Sequence, residues 1–369
     1  MAVISVYSDL QSPADAASDA AAKAGSFSKK AVFVLFFASS GYNPSEIASA
    51  VSQAFPGVAS AGCTTAGEIT SGKMLKKSLV VMLFDSATVK KVKIAEINNI
   101  NSGVDGVAEA FNTFSSITGT PMASADHTKY TGMVLVDGLS GIEEKLMEKI
   151  GALTDVSFIG GSAGDDLQFK QTHVFSNGRA LTNAAVLVLL EPVKGFKIVK
   201  TQSFSVKQTV LEATDVIESS REVISFNGKP ARIAYAEALG VPPGEADKKF
   251  MSNPLGLLVR GEPYVRSPQQ FCGDNLRFYC QIKKGMKLNV LQSDDIVDGT
   301  KKALDTAAQK KYSALINFHC ILRTLELESK KQTDAYGQLF NQIPSIGFST
   351  YGEQLVGHIN QTSTMLLLG

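Results

Sequence analysis

Short apolar runs alternate with amphipathic stretches along the first quarter of the chain. The continuous apolar run 32–37 predicts a buried strand. Residues 44–55 predict a helix, because Asn43 suits the N-cap, a proline follows it, and apolar residues recur on one face. The runs 58–63 and 79–84 predict two further strands, so this stretch indicates a strand–helix–strand–strand unit.

The same order of elements returns about 97 residues further along, which indicates an internal duplication. Sliding Ala66-Gly67-Glu68 by that interval lands on Ala163-Gly164-Asp165, and the two predicted helices fall into the same register. Two matched glycine loops, each ending in a carboxylate, are less expected by chance than either one alone. We place the two copies at about 31–84 and about 132–190.

The second half of the chain begins, in our interpretation, at a turn near residue 227. Asn227-Gly228-Lys229-Pro230 is a strong turn signal that opens a helix. Helices are also predicted near 215–220 and at 294–311, and strands at 257–259, 277–281, 288–291, 314–318 and 346–350. Length and pattern together predict two α/β domains, 1–226 and 227–369, the first containing the duplicated strand–helix–strand–Gly-loop unit.

Composition and charge exclude several classes of protein. The formal net charge is +1 and no run of Lys or Arg dominates a segment, which argues against nucleic-acid binding. The longest apolar runs, 31–38 and 184–190, are far shorter than the ~20 residues of a membrane span, and the N-terminus lacks a signal-peptide pattern. The four cysteines show neither CxxC nor zinc-like spacing, as expected of thiols in a reducing compartment. We therefore expect a soluble, cytoplasmic protein.

Two glycine-bounded polar loops are the candidate ligand-binding elements. The stretch 62–69 reads Gly-Cys-Thr-Thr-Ala-Gly-Glu-Ile, and the stretch 160–166 reads Gly-Gly-Ser-Ala-Gly-Asp-Asp. Glycine lets the backbone turn sharply and approach a guest, and hydroxyl and N–H groups at a strand end hydrogen-bond a polar ligand. The alternative is that both loops are tight turns between strands, kept for their geometry alone.

An enzyme is the rival interpretation, and the sequence gives it little support. Cys63 follows a glycine as a nucleophile would, but no histidine lies near it in sequence and G-x-S-x-G is absent. Dinucleotide and P-loop fingerprints are absent as well. A buried thiol that packs as a small hydrophobe accounts for Cys63 more simply. We predict that the protein is not an enzyme; a cysteine-dependent enzyme using Cys63 or Cys320 and a purely structural interaction module are the alternatives.

Histidines are the candidate metal ligands, and the chain has four of them. His127 and His173 fall in polar or alternating stretches and are predicted to lie at the surface. His319 ends an apolar strand, and His358 precedes a buried one. Each of these two is either a hydrogen-bonded core histidine or an axial ligand of haem iron, for which neutral imidazole is a common ligand. Because CxxCH is absent, any haem b is expected to be held non-covalently.

Several motifs resemble those of one known family. The stretch 62–69 resembles the hallmark of the N-terminal FIST (F-box and intracellular signal transduction) sensory domain. Residues 347–353 and 358–362 resemble the closing motif of the FIST C-terminal domain, and Cys320 and Arg323 match its Cys-x-x-Arg element. The resemblance covers essentially the whole chain.

The resemblance implies a ligand-binding sensor. Family members bind small ligands and are often joined to, or encoded beside, histidine kinases and cyclic-dinucleotide enzymes, and one branch contains haem-binding nitric-oxide sensors that act on a separate histidine kinase. We expect a pocket between the glycine loops of the first domain and the second domain, with His319 or His358 as the ligand of any metal. The candidate ligand-binding residues are Cys63, Thr64, Thr65, Gly67, Glu68, Gly161, Ser162, Asp165, Cys320, Arg323, Tyr351, Glu353 and Asn360.

Specific roles follow for the charged residues among them. Arg323 is expected to clamp a carboxylate, of an amino acid or a haem propionate, because its planar fork suits that geometry. Glu68 and Asp165 are expected to accept from a ligand ammonium group, or from backbone N–H groups if they are structural. The predicted function is a cytoplasmic sensor of haem-bound nitric oxide that regulates a separate histidine kinase, with an amino acid or other small metabolite as the alternative ligand. Neither nucleic acid nor a membrane is expected as a partner, and a homo-oligomer is left open.

Overall fold

The structure, a computed structural model, describes residues 2–307 and 311–369 and divides the chain into two compact units. The first unit takes in Met1–Thr201, Thr300–His358 and Ser363–Gly369, and the second takes in Gln202–Gly299 and Ile359–Thr362. These units differ from the sequence segments 1–226 and 227–369, because strands of the last seventy residues pair with strands of the first half of the chain.

Among the described residues, the α-helices are α1 (Pro13–Ala24), α2 (Pro44–Ala54), α3 (Gly106–Thr118), α4 (Glu143–Leu153), α5 (Ala231–Leu239), α6 (Ile296–Ala307), α7 (Ile321–Ser329) and α8 (Thr333–Gln338). The local signals place their starts: Ser12 accepts a hydrogen bond from the N–H of Asp15 at the start of α1, and Asn43 caps α2 as predicted. Short 3₁₀ helices occur at Gly25–Lys30, Ile100–Ser102, Met122–Ser124, Glu218–Ser220 and Pro243–Lys249.

The strands follow in chain order. The first unit begins with β1 (Val3–Ser8), β2 (Ala31–Ser39), β3 (Ala59–Thr65), β4 (Glu68–Thr70), β5 (Lys73–Leu75), β6 (Leu79–Asp85), β7 (Val89–Asn98), β8 (Thr131–Val136), β9 (Phe158–Ser162), β10 (Val174–Ser176), β11 (Arg179–Leu181), β12 (Ala184–Pro192) and β13 (Phe196–Gln202). Then come β14 (Phe204–Ile217), β15 (Glu222–Phe226), β16 (Lys229–Pro230), β17 (Leu255–Val259), β18 (Glu262–Arg266), β19 (Pro268–Cys272), β20 (Asn275–Phe278) and β21 (Lys287–Ser293). The last strands are β22 (Ala314–Cys320), β23 (Ser345–Thr350), β24 (Glu353–Leu355), β25 (Gly357–Ile359) and β26 (Thr362–Leu368).

The first unit contains three sheets built to one plan. Their strand orders are β1-β6-β2-β3-β10-β11, β7-β12-β8-β9-β24-β25 and β13-β26-β22-β23-β4-β5. In each sheet, two strands joined through helix are parallel, and a later strand of the same repeat returns antiparallel to the first of them. The predicted α/β class is therefore confirmed, and the repeat occurs three times in the described chain, not two.

The repeats exchange their hairpins in a ring. Hairpin β4–β5 of the first repeat pairs with β23 of the third, β10–β11 of the second pairs with β3 of the first, and β24 of the third pairs with β9 of the second. Each sheet is thus completed by a hairpin from a neighbouring repeat. As a consequence, no repeat of the described unit has a complete sheet of its own.

The three sheets share one apolar core. Their inward faces contribute Phe37, Ile159, Phe318 and Phe348 among others, all essentially excluded from solvent. The ring centroids of Phe37 and Phe348, from different repeats, lie 4.5 Å apart. The outer faces are covered separately: helices α1 and α2 cover the first sheet and α3 and α4 cover the second.

The second unit is built on an antiparallel sheet in the order β18-β17-β21-β14-β15-β20-β19, with α5 packed on it around Leu211, Phe226 and Tyr235. The helix predicted near 215–220 is wrong. The backbone there pairs with β15, Val216 opposite Val223, so β14 continues to its last residue and only a 3₁₀ turn follows. No helix of residues 2–307 or 311–369 is long and apolar enough to cross a membrane.

Candidate functional site

The same four-residue motif ends the parallel pair in every repeat. Thr65-Ala66-Gly67-Glu68 follows β3, Ser162-Ala163-Gly164-Asp165 follows β9, and Thr350-Tyr351-Gly352-Glu353 follows β23. From the sequence, the first two were predicted as matched glycine loops, and the third was identified only as part of a closing motif. All three occupy the carboxyl ends of parallel strands, where α/β sheets place their ligands.

The three motifs are locked to one another through their backbones. The N–H of Ala66 donates to the carbonyl of Ser349 over 3.2 Å, and the N–H of Gly164 donates to the carbonyl of Thr64 over 2.9 Å. A Cβ on Gly164 would lie 2.8 Å from the nitrogen of Ala66, and one on Gly161 would lie 2.8 Å from the Thr350 hydroxyl. Glycine is therefore required at these two positions by close approach, and the junction leaves little room for a guest.

Gly67, Thr65, Ser162 and Glu353 belong to this junction as well. Gly67 has φ of 133°, and a Cβ there would lie 3.2 Å from the hydroxyl of Ser349. The N–H of Ser162 donates to the carbonyl of Gly352 over 2.9 Å, and the Glu353 side chain is fully buried at the start of β24. These predicted ligand-binding residues connect one repeat to the next.

Glu68 is enclosed by hydroxyl and amide donors. Its Oε2 accepts from the N–H of Ser78 over 3.1 Å and from the Ser78 hydroxyl over 2.7 Å, while Oε1 accepts from the Thr65 hydroxyl. Burial raises the pKa of Glu68 to about 7, and the three hydrogen bonds oppose that rise without cancelling it. Of the two roles expected for Glu68, the contacts match the structural one.

One connection within the ring of repeats, the segment 163–173, is longer than its two counterparts. Two residues, Ala66 and Gly67, join β3 to β4, and two residues, Tyr351 and Gly352, join β23 to β24. Between β9 and β10 the connection instead runs through residues 163–173. This extra length forms one wall of a cleft that opens beside the carboxyl ends of β2 and β3.

The Asp165 carboxylate holds the backbone of this wall through several hydrogen bonds. It accepts from the backbone N–H groups of Phe169 (2.9 Å), Lys170 (2.6 Å) and Gln171 (3.0 Å), and from the hydroxyl of Tyr351. Burial raises the pKa of the Asp165 carboxyl, but the tyrosine hydroxyl and the three N–H donors outweigh burial, so its pKa lies below the usual value. Asp165 thus takes the backbone-accepting role that was one of its two expected roles.

The cleft consists of two adjoining pockets in the first unit. One, of about 290 Å³, is lined by Gln11, Ser39, Ser40, Gly41, Tyr42, Lys77, Asp166 and Gln168. The other, of about 200 Å³, is lined by Ser40, Pro44, Thr64, Asp165, Gln168, Lys170, Gln171 and His173. Ser40 and Gln168 border both pockets, and the first turn of α2 lies beside the second. Of the predicted ligand-binding residues, Thr64 and Asp165 line this cleft.

The cleft carries charges of both signs. Lys77 and Asp166 line the larger pocket, and neither has an ion-pair partner among residues 2–307 and 311–369. In the smaller pocket, Lys170 lies with His173, whose pKa is lowered by burial although Asp137 opposes the shift. His173 is therefore a neutral imidazole at pH 7, and it is half-buried in the cleft where the sequence predicted a surface residue.

Most of the cleft residues were not singled out from sequence. Two signals could have found them: the polar Ser39-Ser40-Gly41 turn that follows the first parallel strand, and the added length of 163–173 against the two-residue link in the other copies.

Both cysteines that were candidate ligand-binding residues, Cys63 and Cys320, lie in the interior. Cys63 belongs to the shared apolar core, with no exposed surface, and burial raises its pKa well above the usual value. Cys320 ends β22 and is 1% exposed. A thiol held protonated in an apolar core is a poor nucleophile, since the thiolate is the reactive form.

His319 belongs to β22 of the third sheet, and Arg323 belongs to helix α7, which follows that strand. The Arg323 guanidinium is 1% exposed and donates through Nη2 to the hydroxyl of Thr300 over 2.9 Å. The Nδ1 atom of His319 lies 2.9 Å from the hydroxyl of Tyr336. Burial, together with the charge of Arg323, lowers the pKa of His319 well below its usual value, so the ring is neutral. Neither side chain lines the cleft.

His358 and Asn360 are placed separately from the cleft. His358 is 3% exposed, its Nδ1 lies 3.2 Å from Nε2 of Gln354, and its ring fills the space beside Gly352. Asn360 belongs by its contacts to the second unit. Within the part of the chain that the structure describes, no three His, Cys, Asp or Glu side chains gather as they would around a metal ion.

Comparison with known protein families gives two matches that together span most of the chain. Residues 32–229 match the FIST N domain, and residues 231–355 match the FIST C domain. The chain belongs to the FIST family. FIST domains are small-ligand sensors of signal transduction, so the sensor prediction is confirmed at that level. A comparison with curated proteins gave no match.

Proposed function

We propose that the cleft beside β2 and β3 is the sensory site, and that it binds a small zwitterionic metabolite such as an amino acid. The observation that carries the proposal is the segment 163–173, the one long link where the other two repeats have two residues. That departure from the repeat builds a wall of the cleft from side chains that the core does not need.

The size and position of the cleft support a small ligand. Taken together, the adjoining pockets of about 290 and 200 Å³ have a volume in the lower part of the range of ~300–1,000 Å³ for small-molecule sites. The lining is mostly hydroxyl, amide and charged groups, which suits a polar metabolite better than an apolar one. The site also lies at the carboxyl ends of parallel strands.

The charges support a zwitterion. Lys77 and Asp166 border the same pocket without an ion-pair partner among the described residues, so a ligand carboxylate and a ligand ammonium group each find a counter-charge there. Tyr42 borders the pocket too; burial raises the pKa of Tyr42 to about 12, so its hydroxyl stays protonated, and it donates to the carbonyl of Leu10. Its phenol oxygen keeps a lone pair for a ligand donor.

Haem-based sensing of nitric oxide remains the alternative ligand chemistry, with less support. An axial ligand needs an open coordination position, and His319 and His358 are both more than nine-tenths buried against neighbouring side chains or backbone. In this conformation neither imidazole fits haem. His173 borders the cleft, but its pocket of about 200 Å³ is too small for a porphyrin.

We further propose that binding, not turnover, is the activity, and that occupancy is read by a separate signalling protein such as a histidine kinase. The buried, protonated Cys63 supports the first part. Membership of a family of sensory domains supports the second. For a ligand to signal, it must bind one conformation of the sensor better than another.

A thermal-shift screen tests the ligand class. The twenty L-amino acids and haemin are added singly to the protein, since a ligand that binds only the folded state raises Tm. We expect at least one amino acid to raise Tm, and the shift to be lost in Lys77→Ala and Asp166→Ala. The exposed Lys29, which lines neither pocket, supplies the matched control Lys29→Ala, which should keep the shift.

Two outcomes contradict the proposal. One is a Tm shift that survives both Lys77→Ala and Asp166→Ala. The other is a panel in which no amino acid raises Tm. If haemin then gives a Soret band that is lost in His319→Ala or His358→Ala, that result selects the haem alternative.

A further inference from the structure

The hydroxyl of Tyr351 joins the third repeat to the wall of the cleft. It donates to Oδ1 of Asp165 and accepts from the backbone N–H groups of Asp165 (3.2 Å) and Leu167 (2.7 Å). The Tyr351 ring stacks on Phe169 with the ring centroids 5.1 Å apart. The other two motifs carry alanine at this position, Ala66 and Ala163, and an alanine has no group that could make these bonds.

The wall needs such an anchor because its backbone is strained. Asp166, Leu167 and Phe169 have φ of 57°, 64° and 51°. These angles lie in the left-handed region, which is unfavourable for residues other than glycine. A run of such residues persists only where surrounding contacts over-determine it. Here those contacts converge on two groups, the carboxylate of Asp165 and the hydroxyl of Tyr351.

The strained segment also presents the cleft side chains. Asp166 and Gln168 line the larger pocket, and Gln168 and Lys170 line the smaller one. Leu167 and Phe169, between them in sequence, are 39% and 52% exposed. If the segment loosened, the polar side chains would leave their places in the cleft.

We infer that Tyr351 is a positioning residue that clasps the segment 163–173 into place as the wall of the cleft. The inference rests on the proposed function only in treating the cleft as a ligand-binding site. The clasp, meaning the contacts of Tyr351 with the segment 163–173, is present in the ligand-free chain. Tyr351 also begins the turn into β24, and its N–H donates to the carbonyl of Ser162 over 3.2 Å. Tyr351 therefore connects the wall of the cleft directly to the third repeat.

Hydrogen–deuterium exchange of the ligand-free protein tests the clasp. Tyr351→Phe removes the hydroxyl and keeps the ring that stacks on Phe169. We expect exchange in a peptide covering 165–173 to become at least tenfold faster, with peptides from β2 and β22 unchanged. Trypsin cleavage after the exposed Lys170 should accelerate in parallel.

The controls separate a clasp from a general loss of stability. Tyr235→Phe removes another buried hydroxyl, which donates to the carbonyl of Asn253 in the second unit, and should leave 165–173 unaffected. Asp165→Asn should loosen the same peptide, and adding Tyr351→Phe to it should give little further change, because the two groups act together.

Unchanged exchange of 165–173 in Tyr351→Phe would overturn the inference, and so would faster exchange spread evenly over the first unit. If the amino-acid screen fails while Tyr351→Phe still frees the segment, the proposed function falls and the clasp stands. If exchange is unchanged but an amino acid binds through Lys77 and Asp166, the clasp falls and the function stands.

Discussion

At the scale of single residues, Glu68 is a buried carboxyl group whose pKa is raised by its surroundings. Its neighbours Thr65 and Ser78 supply donors, yet burial still raises its pKa from 4.5 to about 7. A group whose pKa is higher in the folded state than in the unfolded chain holds its proton more tightly when folded. Its contribution to stability is therefore complete below pH 4.5 and is lost as the pH rises to about 7.

Glu68→Gln tests this assignment. Glutamine keeps the size of the side chain and its carbonyl acceptor for Ser78 but has no titrating proton, so the fall in stability between pH 4.5 and 7 should disappear. Relative to wild type, the free energy of unfolding of the variant should rise by about 3 kcal/mol at most between pH 5 and pH 8. Urea unfolding at both pH values measures it; parallel pH profiles for the two proteins would contradict the assignment.

Cys63 gives a second prediction at this scale. It has no exposed surface and its pKa is raised by burial, whereas Cys272 is partly exposed. Iodoacetamide at pH 8 should therefore label Cys272 in the native protein and reach Cys63 only on unfolding. Peptide mass spectrometry follows both sites in one sample. If Cys63 were labelled as fast as Cys272 in the native protein, its thiol would be accessible, and that result would favour the cysteine-dependent enzyme.

At the scale of elements, the segment 163–173 is the feature that distinguishes the second repeat from the other two and forms a wall of the candidate cleft. Deleting residues 165–173 would leave Ala163 and Gly164 to join β9 to β10, as Ala66 and Gly67 join β3 to β4. We expect this variant to fold, because the link then matches the other copies, and to lose the amino-acid Tm shift. Circular dichroism and the thermal-shift screen check both parts. Retained binding of the same amino acid would place the site elsewhere.

The same elements show what the sequence could predict. The strand and helix of each early repeat follow from apolar runs and caps such as Asn43, which act locally. The third repeat was missed because Tyr351 stands where the other motifs have alanine, and because its two strands are separated by two helices. The hairpin exchange depends on which sheet edges meet in space, and no local pattern encodes that choice.

Fewer residues of the candidate cleft than elements of the fold could be predicted from sequence, for a related reason. Residues such as Thr65, Gly67 and Glu68 stand out in sequence because close packing between repeats demands them, and that demand is structural. The cleft is formed by ordinary exposed residues such as Lys77 and Asp166. They line a common cleft only because the segment 163–173 lies beside the ends of β2 and β3.

At the scale of the molecule, the ring of exchanged hairpins should make the first unit open as one body. Each sheet contains strands of two repeats, and all three share the core that holds Phe37 and Phe348. Native-state hydrogen exchange should therefore give the central strands β2, β8 and β22 the same free energy of opening, within about 1 kcal/mol. A repeat that opens separately at much lower free energy would show that the exchange does not couple them.

Ligand binding in the cleft is the central property proposed for this FIST protein. The most direct measurement is a crystal structure of the protein soaked with the amino acid that raises its Tm most. We predict ligand density between Ser40 and Gln168, with the ligand carboxylate at Lys77 and its ammonium group at Asp166. Density at another place in the molecule, with this cleft empty, would contradict the central claim.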